Sequence, residues 1–92
     1  MNVKKWNYSN YSSNNYGAHS IAISVGNMDI YFSYETVIAF NNGKGLRISE
    51  NIWGTTTGKH LNAINPNHKV RIKRDDFEKE LETALKAHNL TV

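Results

Sequence analysis

Apolar and polar residues alternate with period two along most of the first half of this chain, and the period lengthens to that of a helix twice in the second half. Ala18, Ser20, Ala22 and Ser24 interleave with His19, Ile21, Ile23 and Val25, the pattern of a strand with one apolar face. Gly26-Asn27 is a tight-turn signal and Met28 to Ser33 resume the alternation, so a hairpin is expected. After a bend near Ser33-Tyr34 a third strand carries Val37, Ile38 and Phe40. Asn41-Asn42-Gly43-Lys44-Gly45 ends it, and a fourth strand runs from Leu46 to Ser49 or Glu50. Near the start, Lys4, Trp6 and Tyr8 alternate with Lys5 and Asn7, which describes a short edge strand before a loop from Asn10 to Asn15.

The helical segments follow. One begins near Thr56 or Thr57, carries Leu61 and Ile64, and stops at Asn65-Pro66-Asn67. Val70 and Ile72 then alternate with Lys69, Arg71 and Lys73, as in a half-buried strand with a cationic outer face. The last helix spans 75–89: Phe77, Leu81, Ala84, Leu85 and His88 share one side, Asp75 and Glu78 make a capping-box-like start, and Asn89 marks the stop. These elements predict one α+β domain over residues 1–92, with 1–15 partly loop or edge strand. Its core is a curved antiparallel sheet of four to five strands, with the short helix and the C-terminal amphipathic helix on one face.

Charge changes this picture more than bulk composition does. The net +3 divides into nine Lys/Arg against three Asp/Glu in residues 1–74, and two against five in residues 75–92. A basic body with an acidic tail points to an anionic partner. An excess of Asn, Lys, Ile and Tyr also follows from AT-rich codon usage. The 11% aromatic content offsets a thin 39% apolar supply, because large rings bury large areas. Zero Cys excludes disulfides and thiolate metal sites. No apolar run approaches a membrane span, and the basic start leads into Asn, Ser and Tyr and not into a signal-peptide core. A cytoplasmic protein with no membrane partner is expected.

Candidate chemistry gathers at Trp53-Gly54-Thr55-Thr56-Thr57-Gly58-Lys59-His60. The comparison with a P-loop fails, because the glycines are one residue too close and His60 stands where a Mg-binding hydroxyl belongs. What survives is a helix start whose free N–H groups, hydroxyls and lysine could grip a phosphate or carboxylate. The plainer alternative is an ordinary N-cap with Lys59 in solvent. His19 and His60, if brought together, form an acid–base pair for phosphodiester cleavage steadied by Lys59. Alternatively, His19 is a core residue of its strand. Four His without paired spacing make no metal set, so neither a metal nor another cofactor is expected. Lys69, Arg71 and Lys73 on an extended strand would stand roughly 6.5–7 Å apart, near the spacing of successive phosphates. Such charges also guard an edge strand against aggregation. Trp6, Tyr8, Tyr11, Tyr16, Tyr31, Tyr34 and Trp53 offer rings on which bases stack, though for any one tyrosine core packing is the rival role.

Three blocks carry a resemblance: Tyr11-Ser12-Ser13-Asn14-Asn15-Tyr16-Gly17-Ala18-His19, Tyr31 to Phe40, and Glu50 to Leu61 with Thr56-Thr57-Gly58-Lys59-His60-Leu61-Asn62. Their order and spacing over roughly residues 8–65 resemble a family of small uncharacterised domains carried by bacteriophages, prophages and some prokaryotic mobile elements. The resemblance implies a setting and no activity. In such a setting, small accessory proteins bind a host defence component, a nucleic acid or a nucleotide signal. Its distinctive positions imply that Tyr16, His19, Tyr34, Trp53, Thr56, Thr57, Lys59 and His60 converge on one concave surface at the start of the first helix. The leading expectation is therefore a non-enzymatic accessory protein that binds a phosphate-bearing ligand. Thr56, Thr57 and Lys59 would hold phosphate, Tyr16, Tyr34 or Trp53 would stack a base, and Lys69, Arg71 and Lys73 would extend the footprint. The alternatives are an inhibitor docking on a host protein through its aromatic surface, and a small phosphodiesterase using His19 and His60. A homodimer with facing helix starts would favour capture of a small molecule between subunits.

Overall fold

The structure, a computed structural model, describes residues 3–9 and 19–88. Tyr11, Tyr16, the expected loop from Asn10 to Asn15 and the expected stop at Asn89 lie outside the described residues. The strands are β1 (Val3–Asn7), β2 (Ile21–Val25), β3 (Met28–Ser33), β4 (Thr36–Asn41), β5 (Leu46–Ser49) and β6 (Arg71–Ile72). They form one six-stranded sheet in sequence order, antiparallel throughout except for the parallel pair β5–β6. Helix α1 (Thr55–Ile64) is the crossover that a parallel pair requires, and α2 (Arg74–Ala87) follows β6. The α+β class read from the sequence is the observed one.

Two-residue turns connect β2 to β3 and β3 to β4, since Val25 pairs with Met28 and Ser33 with Thr36. Gly26 fills the first central position of one turn with φ +59°, a left-handed conformation that glycine adopts without steric cost. Tyr34 fills the same position of the other with φ +57°. A bulky side chain there is strained.

The bulge in β4 sets the layering. Tyr31 pairs with Ala39 but Phe32 with Val37, so Ile38 is an extra residue and Val37-Ile38-Ala39-Phe40 is buried throughout. Met28, Ile30, Val37 and Phe40 pack with Phe77, Leu81, Ala84 and Leu85 of α2. Ile38, Ala39 and Ile48 pack with Leu61 of α1, and Tyr31 and Ile64 border them. Alternate residues of a strand face opposite ways, so Ile30 and Tyr31 assign the two helices to opposite faces of the sheet. The sequence placed both helices on one face; the structure divides them, because a centre of four successive apolar residues needs cover on both sides.

Local ends also differ from the sequence reading. Helix α1 begins at Thr55 behind Gly54, with no side-chain cap. Helix α2 begins at Arg74, and the cap is supplied from a distance: Glu50 Oε2 accepts the Arg74 N–H at 2.7 Å. The expected strand around Lys69 to Lys73 is only two residues long. His68–Val70 form a 3₁₀ turn instead, because the Asn67 side chain accepts the Lys69 N–H at 3.0 Å and bends the chain.

Candidate functional site

Period-two geometry puts Lys4, Trp6 and Tyr8 on the α1 face of the sheet, beside Ala22 and Tyr31. Beside helix α1 on that face, the described residues form a row of rings. Trp6 meets Tyr31 edge-on at 6.2 Å, Tyr31 meets Tyr8 at 5.4 Å, and Tyr8 meets His60 at 6.1 Å. His60 lies 6.1 Å from Tyr34, and Tyr34 stacks nearly parallel on His19 at 4.3 Å. The row starts at the exposed Trp6, dips into the core at His60, and returns to the surface at Tyr34 and His19.

The buried middle is a polar network. His60 is 0% exposed, and its Nδ1 lies 2.7 Å from the Ser33 hydroxyl. The same hydroxyl lies 3.0 Å from Thr57 Oγ1. With a single proton, Ser33 donates to at most one of these two partners. Helical spacing explains the convergence: Thr57, His60, Leu61 and Ile64 occupy the inward stripe of α1, while Ser33 ends β3 beneath them. Tyr8 closes the side of the network, donating its hydroxyl to the Phe32 carbonyl at 2.7 Å. Burial pushes the Tyr8 phenol pKa up strongly, and the neighbouring Tyr31 oxygen adds to the shift. The Tyr31 phenol is raised by burial first and by Asp29 second. Buried Ser20, 2.7 Å from both Asn7 Oδ1 and Ser9 Oγ, fastens the end of β1 so that Tyr8 stays in place.

The residues singled out in the sequence therefore divide. His19, Tyr34, Thr57 and His60 come together. The two imidazoles are no farther apart than the two ring-to-ring steps through Tyr34, inside the limit of about 15 Å for sharing a ligand. Thr56 and Lys59 stand one helical turn apart on the neighbouring flank of α1. Trp53 is elsewhere: the Arg74 guanidinium lies 5.0 Å from its ring and 4.9 Å from that of Phe77, so it belongs to the start of α2. Lys69 sits in the 3₁₀ turn, Arg71 in β6 and Lys73 just before α2, so no evenly spaced ladder of cations forms. Tyr16 is outside the described residues. Sequence reading missed Ser33 and the central place of Tyr8. The only signal for Ser33 was a serine ending an otherwise apolar strand at a hairpin.

No group of three or more His, Asp or Glu among the described residues could hold a metal ion. No described helix is long and apolar enough to cross a membrane.

Fold and site define a small α+β domain in which one helix seals a histidine–hydroxyl network and leaves an aromatic sheet face beside it. The chain belongs to a family of unknown function (DUF8033), whose model matches residues 1–79 and so ends within α2. Comparison with curated proteins and with solved structures yields no match.

Proposed function

We propose that this protein is a non-catalytic binder of a phosphate-bearing ligand, a nucleic acid or a nucleotide signal, which it recognises by stacking on the exposed end of the aromatic row. The observation that carries this reading is Tyr34. A tyrosine occupies the turn position that glycine fills one hairpin earlier. It is held there by its N–H on the His19 carbonyl at 3.0 Å and by the stack on the His19 ring, with 46% of its surface still exposed. Strain of about 1–3 kcal/mol in an exposed residue, with a buried network fixed beneath it, is the signature of a functional constraint. Bases stack on such rings at about 1–3 kcal/mol each, and Lys4 and Lys59 supply positive charge on the same side.

The complete burial of His60 supports binding over phosphodiester cleavage, since the imidazole serves Ser33 and presents no surface to a substrate. A second reading, docking on a host protein, is favoured by Ile52 and Trp53, adjacent and exposed in the loop before α1. In either reading the protein acts in the cytoplasm, as an accessory or anti-defence protein of a mobile element. A low-salt thermal-shift screen against nucleotides, cyclic dinucleotides and short DNA and RNA tests the proposal. A hit at 100 times its dissociation constant adds about 2.7 kcal/mol of apparent stability. Polymer binding falls steeply with salt, whereas mononucleotide binding does not. A flat screen, or a hit unchanged in Tyr34→Ala and His19→Ala, overturns it.

A further inference from the structure

The chain has three arginines, and two of them meet carboxylates. Arg47 makes a paired contact with Glu80 at 2.9 and 3.1 Å, and Arg74 meets Glu78 at 2.9 Å. Arg71 has none. Its guanidinium reaches from β6 to α1, where one terminal nitrogen donates to Asn62 Oδ1 at 2.8 Å and the other lies 3.4 Å from His68 Nδ1. Its Nε is covered and meets no acceptor among the described residues. A guanidinium keeps its proton under all ordinary conditions, so this charge is drawn partly out of water with an amide and an imidazole as its direct side-chain contacts.

The same groups wall a cleft of about 480 Å³ formed by Glu50, Asn51, Gly58, Asn62, His68 and Arg71. The Glu50 carboxylate does not answer Arg71, because it is turned to the first N–H of α2. Gly58 is the second sign of a built site. A glycine inside a helix costs roughly 0.5–1 kcal/mol relative to alanine. Here a Cβ would come within 3.0 Å of Asn51 Nδ2 and crowd the cleft wall. Gly58 and Asn62 stand on the flank of α1 nearest β6, whereas His60 turns toward Tyr8 and Tyr34, so this cleft is separate from the aromatic face.

We propose that the cleft between α1 and β6 binds a small oxyanion, a phosphate or carboxylate group, with the Arg71 fork as its principal donor and Asn51, Asn62 and His68 around it. The two terminal nitrogens of the guanidinium each carry a second N–H beyond those turned to Asn62 and His68, and together they match two oxygens of such a group, a geometry that lysine cannot reproduce. The site stands whether or not the aromatic face binds a base.

Arginine Nε–H resonances of the full chain give a direct test, because only three need resolving. Inorganic phosphate and sodium acetate are titrated separately against sodium chloride at matched ionic strength. The expected result is a saturable shift of the Arg71 Nε–H and the His68 ring, with the Arg47 and Arg74 signals unmoved. Response to phosphate alone, or to acetate alone, supports the site and names its class. Arg71→Lys should weaken the response about tenfold or more while keeping the charge. Gly58→Ala, with Arg71 intact, should weaken it while leaving the fold in place. Should Arg71→Lys fail to fold, the wild-type titration still decides. No Arg71 response to either anion, or equal drift of all three arginines, overturns the proposal.

Discussion

Replacing Tyr34 by alanine and by glycine separates what its ring contributes from what its backbone costs. Both substitutions remove the stack on His19 and the covered half of the ring. Full burial of a large apolar side chain contributes about 1.5–3 kcal/mol, so half burial gives about 1 kcal/mol. The stack adds about 0.5–1.5 kcal/mol. Either variant should therefore be less stable than wild type by about 2 kcal/mol before the backbone is considered. At φ +57° alanine keeps the left-handed strain of about 1–2 kcal/mol, which glycine escapes. Part of that relief is offset by the greater freedom of glycine in the unfolded chain, about 0.5–1 kcal/mol. The stability order should then be Tyr above Gly above Ala, with Gly over Ala by about 0.5–1 kcal/mol.

That order inverts the usual one, in which glycine is the less stable of the pair in regular structure. Thermal melts resolve it, since about 1 kcal/mol moves the midpoint by roughly 4–8 °C in a domain of this size. Gly26→Ala is the matched control: it occupies the same turn position at φ +59° and a Cβ there meets nothing within 4 Å. It should lose about 1 kcal/mol through the backbone alone. If Tyr34→Ala melts at or above Tyr34→Gly while Gly26→Ala melts low, the tyrosine is not strained in solution. That turn is then under no functional constraint that its backbone reveals.

His60→Ala opens a cavity and takes the imidazole partner from the Ser33 hydroxyl, which keeps only Thr57, so urea titration should show a loss of about 2–4 kcal/mol. Arg47→Ala breaks a well-formed pair with Glu80, but both side chains are exposed, so chemical denaturation should register less than about 1 kcal/mol. Burial raises the Tyr8 phenol pKa in the fold, so folding favours its neutral form. That contribution is complete below the unfolded value of about 10 and is lost as pH rises above it. Melts between neutral pH and strong alkali should show this loss, and Tyr8→Phe should flatten the alkaline limb at the cost of the hydrogen bond to Phe32.

Much of the fold could be read from the sequence wherever local chemistry decides it. Gly26-Asn27 between two alternating runs fixes a hairpin at any tertiary arrangement, and the Phe77, Leu81, Ala84, Leu85 stripe is buried as its spacing implies. The segment around Arg71 could not be read this way, because alternation alone does not distinguish a strand from a capped turn. Val70 and Ile72 among Lys69, Arg71 and Lys73 suggest an extended run, yet the Asn67 side chain captures the Lys69 N–H and only two residues remain to pair with β5. That pairing is parallel and depends on where α1 returns the chain, which no local pattern encodes. The candidate site divides for the same reason. His60 and Thr57 share a helix stripe, so their common direction was legible. Their burial depended on Ser33 arriving from β3 in a register set by the Ile38 bulge. Burial redirected the hydroxyl-rich helix start: Thr57 turns inward to Ser33, and the members of the constellation that reach the surface are Tyr34 and His19. The strained turn therefore bears more weight than the threonine row, because Thr57 is buried against Ser33 whereas Tyr34 holds φ +57° with 46% of its surface exposed.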